Sequence, residues 1–465
     1  MDEGGRSRFM ERCNELQFLV AFCPCGFSRF AAILDRMSQD GNTPALQVSK
    51  MAEHLIGSEI IKLGNEVNER IRQGETITNF TIGDFDPAVF PLPEVLLEHI
   101  ILAYREGHTN YPMANGVMEL RNAVAAWSKT TYGLDFDPSE VLIAGGARPI
   151  IYTIYATLLD PGDKVIYPVP SWNNNHYCHL LGAEGICIEC SPESNFMPLA
   201  ADIEPHIKDA VLLALCSPQN PTGTVFTKEQ LEAICDLVIA ENKRRGPGQK
   251  PVYIMYDQIY GALLYGDNVH YNPVSLRSEL RPYTVFVDGI SKSFAATGVR
   301  VGWALGPSRI IDKMKSILGH IGAWSPKAEQ IATARFLADT SATTSFSTEF
   351  KVEMHERLKG VYDGLETLRS EGLPVRCIEP RGAIYLTALF DLKGRRTPEG
   401  KVLETTDDIF SYILSTAKLA IVPFSAFGAS TQSSWFRLSL GTCRLEDIPG
   451  LIQRLRSSLS ALQKD

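Results

Sequence analysis

The sequence predicts an α/β fold, with a large lobe built on a mostly parallel sheet sandwiched by helices and a smaller α+β lobe beside it. Three observations carry this. Continuous apolar runs such as "AVLLALC", "VYIMY" and "YTVFV" alternate with helical patterns, as strands covered on both faces require. The length of 465 residues exceeds what one core usually serves. Past residue 325 the pattern shifts to long amphipathic helices and then short strands.

Along the chain, residues 1–50 read as an N-terminal extension. Its apolar patch "LQFLVAFCPCGF" matches a signal h-region in length, but the charge before it is mixed, Arg29 and Arg36 follow, and no A-x-A-like site is present. Cys23 and Cys25 lack further nearby ligands to make a metal site. Met37 or Met51 is a natural beginning for the ordered chain. Met51, Leu55, Ile60, Ile61, Leu63, Val67 and Ile71 give helical periodicity over about 49–74, and "TITNFTIGDFDP" reads as a strand entering a turn. Residues 51–84 are thus the N-terminal part of the small lobe. Over 85–325, the large lobe, "SEVLIAGGARPIIYTIYATLLDPGDKVIYPVPSW" runs strand, glycine turn, helix, turn, strand. Over 326–465 the spacing predicts helix to about residue 371, strands around "GAIYLTALF" and "SWFRLSL", and a closing helix over 445–463.

Apolar content of 45% and charged content of 21% are those of an ordinary soluble globular chain with no spanning segment. The net charge of −9 argues against a nucleic-acid partner, which would call for a basic surface. Ten scattered cysteines, with the C-x-x-C of Cys187 and Cys190 lacking a second pair, suit free thiols in a reducing, cytoplasmic setting and no metal site.

Ligands of open α/β sheets bind beyond the carboxyl ends of the strands. Gly145, Gly146, Trp172, Asn220, Asp257, Tyr260 and Lys292 each follow an apolar strand, which suggests one crevice. A desolvated lysine can form a Schiff base with a carbonyl cofactor, and pyridoxal phosphate is the common one. Its phosphate suits the "GGA" turn (Gly145 to Ala147) opening a helix, with Arg300 as cation. A buried Asp257 suits the protonated ring nitrogen, Asn220 and Tyr260 the ring oxygen, and Trp172 the ring face.

"SPQNPTG", "YDQIYG", "SKSFAATGVRVG" and "FRLSLGTCR", in that order, resemble the class I/II aminotransferases of pyridoxal-phosphate fold type I, particularly their aspartate aminotransferase-like branch, from roughly residue 51 to the C-terminus. The resemblance implies that Lys292 holds the cofactor and then shuttles the proton at the substrate α-carbon. It also implies that Asp257 pairs with the ring nitrogen, and that Arg437 grips the substrate α-carboxylate beside Trp172 and Asn220. It places Gly83 on a segment closing over substrate, and has Tyr111 reach the phosphate of a neighbouring subunit in a homodimer with shared active sites. The activity implied is ping-pong amino transfer between an L-amino acid, aspartate or glutamate in type, and a 2-oxo acid. An aminotransferase for aromatic or neutral amino acids, or a lyase or synthase on the same scaffold, is the alternative; a DNA-binding regulator is disfavoured because the first 50 residues are too short and apolar for a winged helix.

Three departures from the family pattern bear on the phosphate contacts and the side-chain pocket. "GARP" stands where "GSQ" or "GKQ" is common, so Ala147 offers no polar group and Arg148 follows; Gly289 stands where some relatives have a phosphate-binding serine; and "GDFDP" replaces "GxPDF". Arg148 and Arg381 are the nearest charged candidates to read a distal carboxylate.

Overall fold

The computed structural model describes residues 47–55, 57 and 59–463, so most of the expected N-terminal extension, residues 1–46, lies outside the described residues. Two compact units divide at His54 and Leu55. In the first, Ser49 Oγ accepts a bond from Ala52 N at 3.2 Å and starts the one-turn helix Lys50–Glu53. The second carries both main sheets and begins with the helix Glu59–Arg72. The single helix expected over 49–74 is therefore two pieces. Gly57 lies between them, and glycine in a helix interior costs about 1 kcal/mol.

After a short β1 (Thr78–Asn79) come the strands of the large sheet: β2 (Val141–Ala144), β3 (Lys164–Val169), β4 (Glu184–Glu189), β5 (Ala210–Cys216), β6 (Tyr253–Asp257), β7 (Thr284–Gly289) and β8 (Gly302–Leu305). They pair in the order β2-β8-β7-β6-β5-β3-β4. β4, β3, β5, β6 and β7 run parallel, and β8 runs antiparallel to both of its neighbours. Leu213, Leu215, Ile254, Tyr256 and Phe286 pack on one face with Leu231, Ile234 and Val238 of the helix Lys228–Arg245. Leu212, Ala214, Met255, Val285 and Val287 pack on the other with Ile150, Ile151 and Ile154 of the helix Ala147–Leu158. Side chains alternate with period two, yet both faces are covered, so the strands read as unbroken apolar runs. Thr227 starts the helix Lys228–Arg245 with a capping box: its hydroxyl accepts from Gln230 N at 3.2 Å while Thr227 N donates to Gln230 Oε1 at 3.0 Å, a cap worth about 1 kcal/mol.

The second sheet comprises β9 (Val375–Ile378), β10 (Tyr385–Phe390), β12 (Val422–Pro423) and β13 (Trp435–Ser439), antiparallel in the order β12-β13-β10-β9, while β11 (Leu419–Ala420) pairs with β1. The helices expected over 326–371 are two, divided at Asp339, whose ψ of 88° leaves the helix and whose carboxylate caps the next one by accepting from Ala342 N at 2.9 Å. The helix Lys327–Ala338 packs on Glu94–Arg105 and Met118–Tyr132. The helix Thr340–Ser370 buries Met354, Leu358, Val361 and Leu365, spaced three and four apart, with Leu386, Ala388 and Phe390 of β10. Truncating one of these leucines to alanine costs about 2–5 kcal/mol. Among the described residues no helix is long and apolar enough to cross a membrane, and no group of three or more His, Cys, Asp and Glu side chains could hold a metal ion.

Candidate active site

The carboxyl ends of β5, β6 and β7 bring three predicted residues together. Cys216 pairs with Asp257, and Asp257 with Val287, so the turn holding Asn220, the Asp257 carboxylate and the one-turn helix Ile290–Ser293 holding Lys292 follow neighbouring strand ends. They line a cleft of about 690 Å³ with Gly83, Asp84, Ala147, Arg148, Trp172, Tyr260, Arg300, Tyr385 and Arg437. Glycine at 289 follows from close packing, since a Cβ there would sit 2.8 Å from both Gly302 Cα and Val301 O; the serine of some relatives does not fit this backbone.

Lys292 Nζ donates to Gly83 O at 2.6 Å. Burial, helped by Arg437, Arg148 and Arg300 and opposed by Asp84, brings its pKa down to about 8. Asp257 has no cation beside it among the described residues. Its Oδ1 accepts from Ile259 N at 3.0 Å, but burial wins and lifts its pKa to about 6. Arg300 adopts a left-handed backbone, φ 63°, and is held there by Nη1 to Thr297 O at 2.6 Å and Nη2 to Gly145 O at 2.7 Å. Its guanidinium occupies the space that a Cβ on Gly146 would need. A cation thus lies against the glycine turn that opens the twelve-residue helix Ala147–Leu158, an arrangement suited to an anion.

Arg437 is placed by β13, opposite Thr387 of β10, and is 1% exposed. Its hydrogen-bond partners among the described residues are Thr81 O, from Nη2 at 2.5 Å, and Asn220 Oδ1, from Nη1 at 3.2 Å; Nε is buried without a partner. The rings of Tyr385 and Phe427 flank it at 4.8 and 4.9 Å. Among the described residues no carboxylate neutralises it, and burial pushes its pKa down. Trp172 lines the cleft with the Arg148 guanidinium 4.8 Å from its ring centre.

The structure does not bring every predicted residue to the cleft. Gly145 and Gly146 lie against Arg300 rather than on the cleft wall. Tyr111 is 82% exposed, edge-on to Trp324, and outside the lining of this chain's own cleft. Arg381 also lies outside, its backbone N bonded to Gly223 O at 3.2 Å. Tyr260 does line the cleft, and its hydroxyl shares a hydrogen bond with that of Tyr385 at 2.5 Å. Tyr385 itself escapes sequence reasoning, hidden in an apolar strand pattern. So do Asp84 with its partner Thr297, and the wall formed by Ile60, Ile61, Asn65 and Asn68 of the helix Glu59–Arg72.

Comparison with known proteins agrees with this geometry. Residues 75–455 match the family model described as aminotransferase class I and II. An aspartate aminotransferase of Geobacillus stearothermophilus is 29% identical over 421 residues, covering 90% of this chain and all of that protein. The crystal structure of the aspartate aminotransferase from Rhizobium meliloti superposes with a TM-score of 0.82 at 27% identity, covering 90% of this chain and 100% of that one. The Thermus thermophilus aspartate aminotransferase solved with maleate gives 0.78 at 27% identity, covering 89% and 100%. With strand-end lysine and aspartate and a buried arginine in one cleft, the glycine turn packed on Arg300 of its lining, and with that match running through nearly all of the described chain, the protein belongs to the class I and II aminotransferases.

Proposed function

We propose that this transaminase works with pyridoxal phosphate and moves an amino group between a dicarboxylic amino acid, aspartate or glutamate, and a 2-oxo acid. The observation that carries the reading is Arg437, a buried guanidinium with an orphaned Nε and, among the described residues, no acidic partner, facing the same cleft as Lys292. A charge so placed is costly unless an incoming carboxylate compensates it.

The residues fit the cofactor. The Gly146–Arg300 packing at a helix N-terminus suits the phosphate, and an unpaired buried Asp257 suits a protonated ring nitrogen. Trp172 offers a ring face and Tyr260 a hydroxyl. When bound, the cofactor supplies an aldehyde for the amino group and a ring that accepts the α-carbon electron pair. Lys292, its pKa near 8, is neutral in a useful fraction near neutral pH, so its Nζ can take the α-proton and return it. Arg437 and Asn220 hold the α-carboxylate and orient the α-hydrogen toward that amine. Arg148 is the cleft cation left for a distal carboxylate, which Arg381, outside the lining, is not. The maleate carried by the Thermus thermophilus relative supports a dicarboxylate preference.

In this reading residues 85–325 hold the cofactor, while 51–84 and 326–465 supply Gly83 and Arg437 to the substrate side. The exposed apolar surface of Leu97, Leu102, Tyr104, Tyr111 and Met113 supports a homodimer, and the unpaired thiols of Cys178, Cys235 and Cys443 a reducing, cytoplasmic setting. The test is a panel of amino donors in single half-reactions, read by cofactor absorbance. Aspartate and glutamate are expected to react fastest and 2-oxoglutarate to reverse the change; faster aromatic or neutral donors would displace the dicarboxylate assignment, and elimination without an acceptor would displace amino transfer.

A further inference from the structure

Three contacts tie the loop Thr81–Asp84 to the site. Thr81 O accepts from Arg437 Nη2 at 2.5 Å, Gly83 O accepts from Lys292 Nζ at 2.6 Å, and Asp84 Oδ1 accepts from Thr297 Oγ1 at 2.6 Å and from Phe85 N at 2.8 Å. The loop must approach this closely, since a Cβ on Gly83 would lie 2.8 Å from the Tyr385 hydroxyl. Upstream it is anchored by Phe80, whose N donates to Ala420 O at 2.9 Å and whose O accepts from Ser439 N at 3.0 Å; downstream Asp86 N donates to Gly441 O at 3.0 Å.

The contacts from Arg437 and Lys292 use the very donors that substrate carboxylate and cofactor aldehyde require under the function proposed above, so binding of those ligands competes with them. The Asp84–Thr297 bond uses neither donor. It joins the loop to the turn between Lys292 and Arg300, and it is compatible with an occupied site. Resting on that function, we propose that Asp84 and Thr297 form a positioning pair that keeps the 81–84 loop over the site after its carbonyls release Arg437 and Lys292, and so sets the affinity for the amino acid substrate. Asp84 serves the cleft in a second way, because its charge favours the ammonium form of Lys292, which Arg437, Arg148 and Arg300 disfavour.

Thr297→Val removes the hydroxyl with little change of shape, Asp84→Ala removes its acceptor, and Asp84→Asn keeps an acceptor. Amide hydrogen exchange across residues 81–86, read by mass spectrometry on the full chain with and without added pyridoxal phosphate, is expected to rise about tenfold in the first two variants and stay within about twofold of wild type in the third. KM for L-aspartate is expected to rise roughly three- to tenfold in Thr297→Val, with kcat within about twofold, whereas Asp84→Ala, which also removes a charge acting on Lys292, is expected to change both. Unchanged exchange in both variants, or a loss confined to kcat, overturns the pair. The exchange measurement needs no turnover, so a chain inactive toward every donor would refute the proposed function while still deciding this point.

Discussion

Tyr260 and Tyr385 share a single hydrogen bond, hydroxyl to hydroxyl at 2.5 Å, linking the turn after β6 to the middle sheet strand β10 beside Arg437. Tyr385 therefore aims the hydroxyl proposed to meet the cofactor. Tyr385→Phe is expected to lower kcat/KM for L-aspartate by about three- to tenfold, and Tyr260→Phe by more. Steady-state kinetics of the two variants side by side read the order, and the reverse order would assign the cofactor contact to Tyr385.

Lys292 is expected to titrate near pH 8 in the cofactor-free protein, because burial and three arginines outweigh Asp84. Amine labelling with trinitrobenzenesulfonate, followed on the peptide containing residue 292, should show that midpoint, whereas ordinary lysines titrate near about 10.4. Lys292→Ala is expected to abolish turnover yet retain bound cofactor, since the groups proposed to hold the phosphate, at Gly146 and Arg300, do not include this lysine.

Asp257 gives a stability prediction with a definite sign. Its folded pKa of about 6 lies above the ordinary carboxylate value, so above pH 6 folding buries an unpaired charge and is disfavoured; the penalty fades as pH falls from 6 toward 4. Cofactor-free Asp257→Asn should therefore melt higher than wild type at pH 7 and equally at pH 4, while its activity falls by several orders of magnitude. Equal melting at pH 7, or near-normal turnover, would remove Asp257 from the role given to it.

Arg437→Lys is expected to raise KM for every donor by tens to hundreds of fold, because a fork geometry worth about 2–4 kcal/mol is lost. Arg148→Ala should instead lower the preference for aspartate over alanine, and Arg381→Ala should leave it unchanged. A preference unaffected by Arg148→Ala would mean that this cation does not read the side chain.

Tyr111, exposed and outside its own cleft, is expected to act on a second copy of the chain. Mixing an inactive Tyr111→Ala protein with an inactive Lys292→Ala protein should restore part of the activity through hybrid sites. No recovery despite subunit exchange, followed by mass spectrometry, would argue for self-sufficient sites.

Much of this was legible in the chain because its chemistry is local. "SPQNPTG", "YDQIY" and "GISKS" each join an apolar strand to a polar turn, and parallel pairing then makes those turns neighbours. What the sequence hid depends on distance along the chain. Tyr385 looks like one more apolar strand residue until its hydroxyl meets Tyr260, 125 residues away, and Asp84 looks like a turn residue until Thr297, 213 residues on, reaches it. Arg381 stood beside the right strand in sequence, but only the backbone path shows that it misses the cleft.

The helix Glu59–Arg72 gives the cleft Ile60, Ile61, Asn65 and Asn68 but contributes nothing to either main sheet. One wall of the cleft and the strand-end residues thus belong to different stretches of chain, so a substitution in this fourteen-residue helix reshapes the cleft while the strands that carry Asp257 and precede Asn220 and Lys292 are left alone. Ile61, largely exposed, is the least expensive place for such a change to begin.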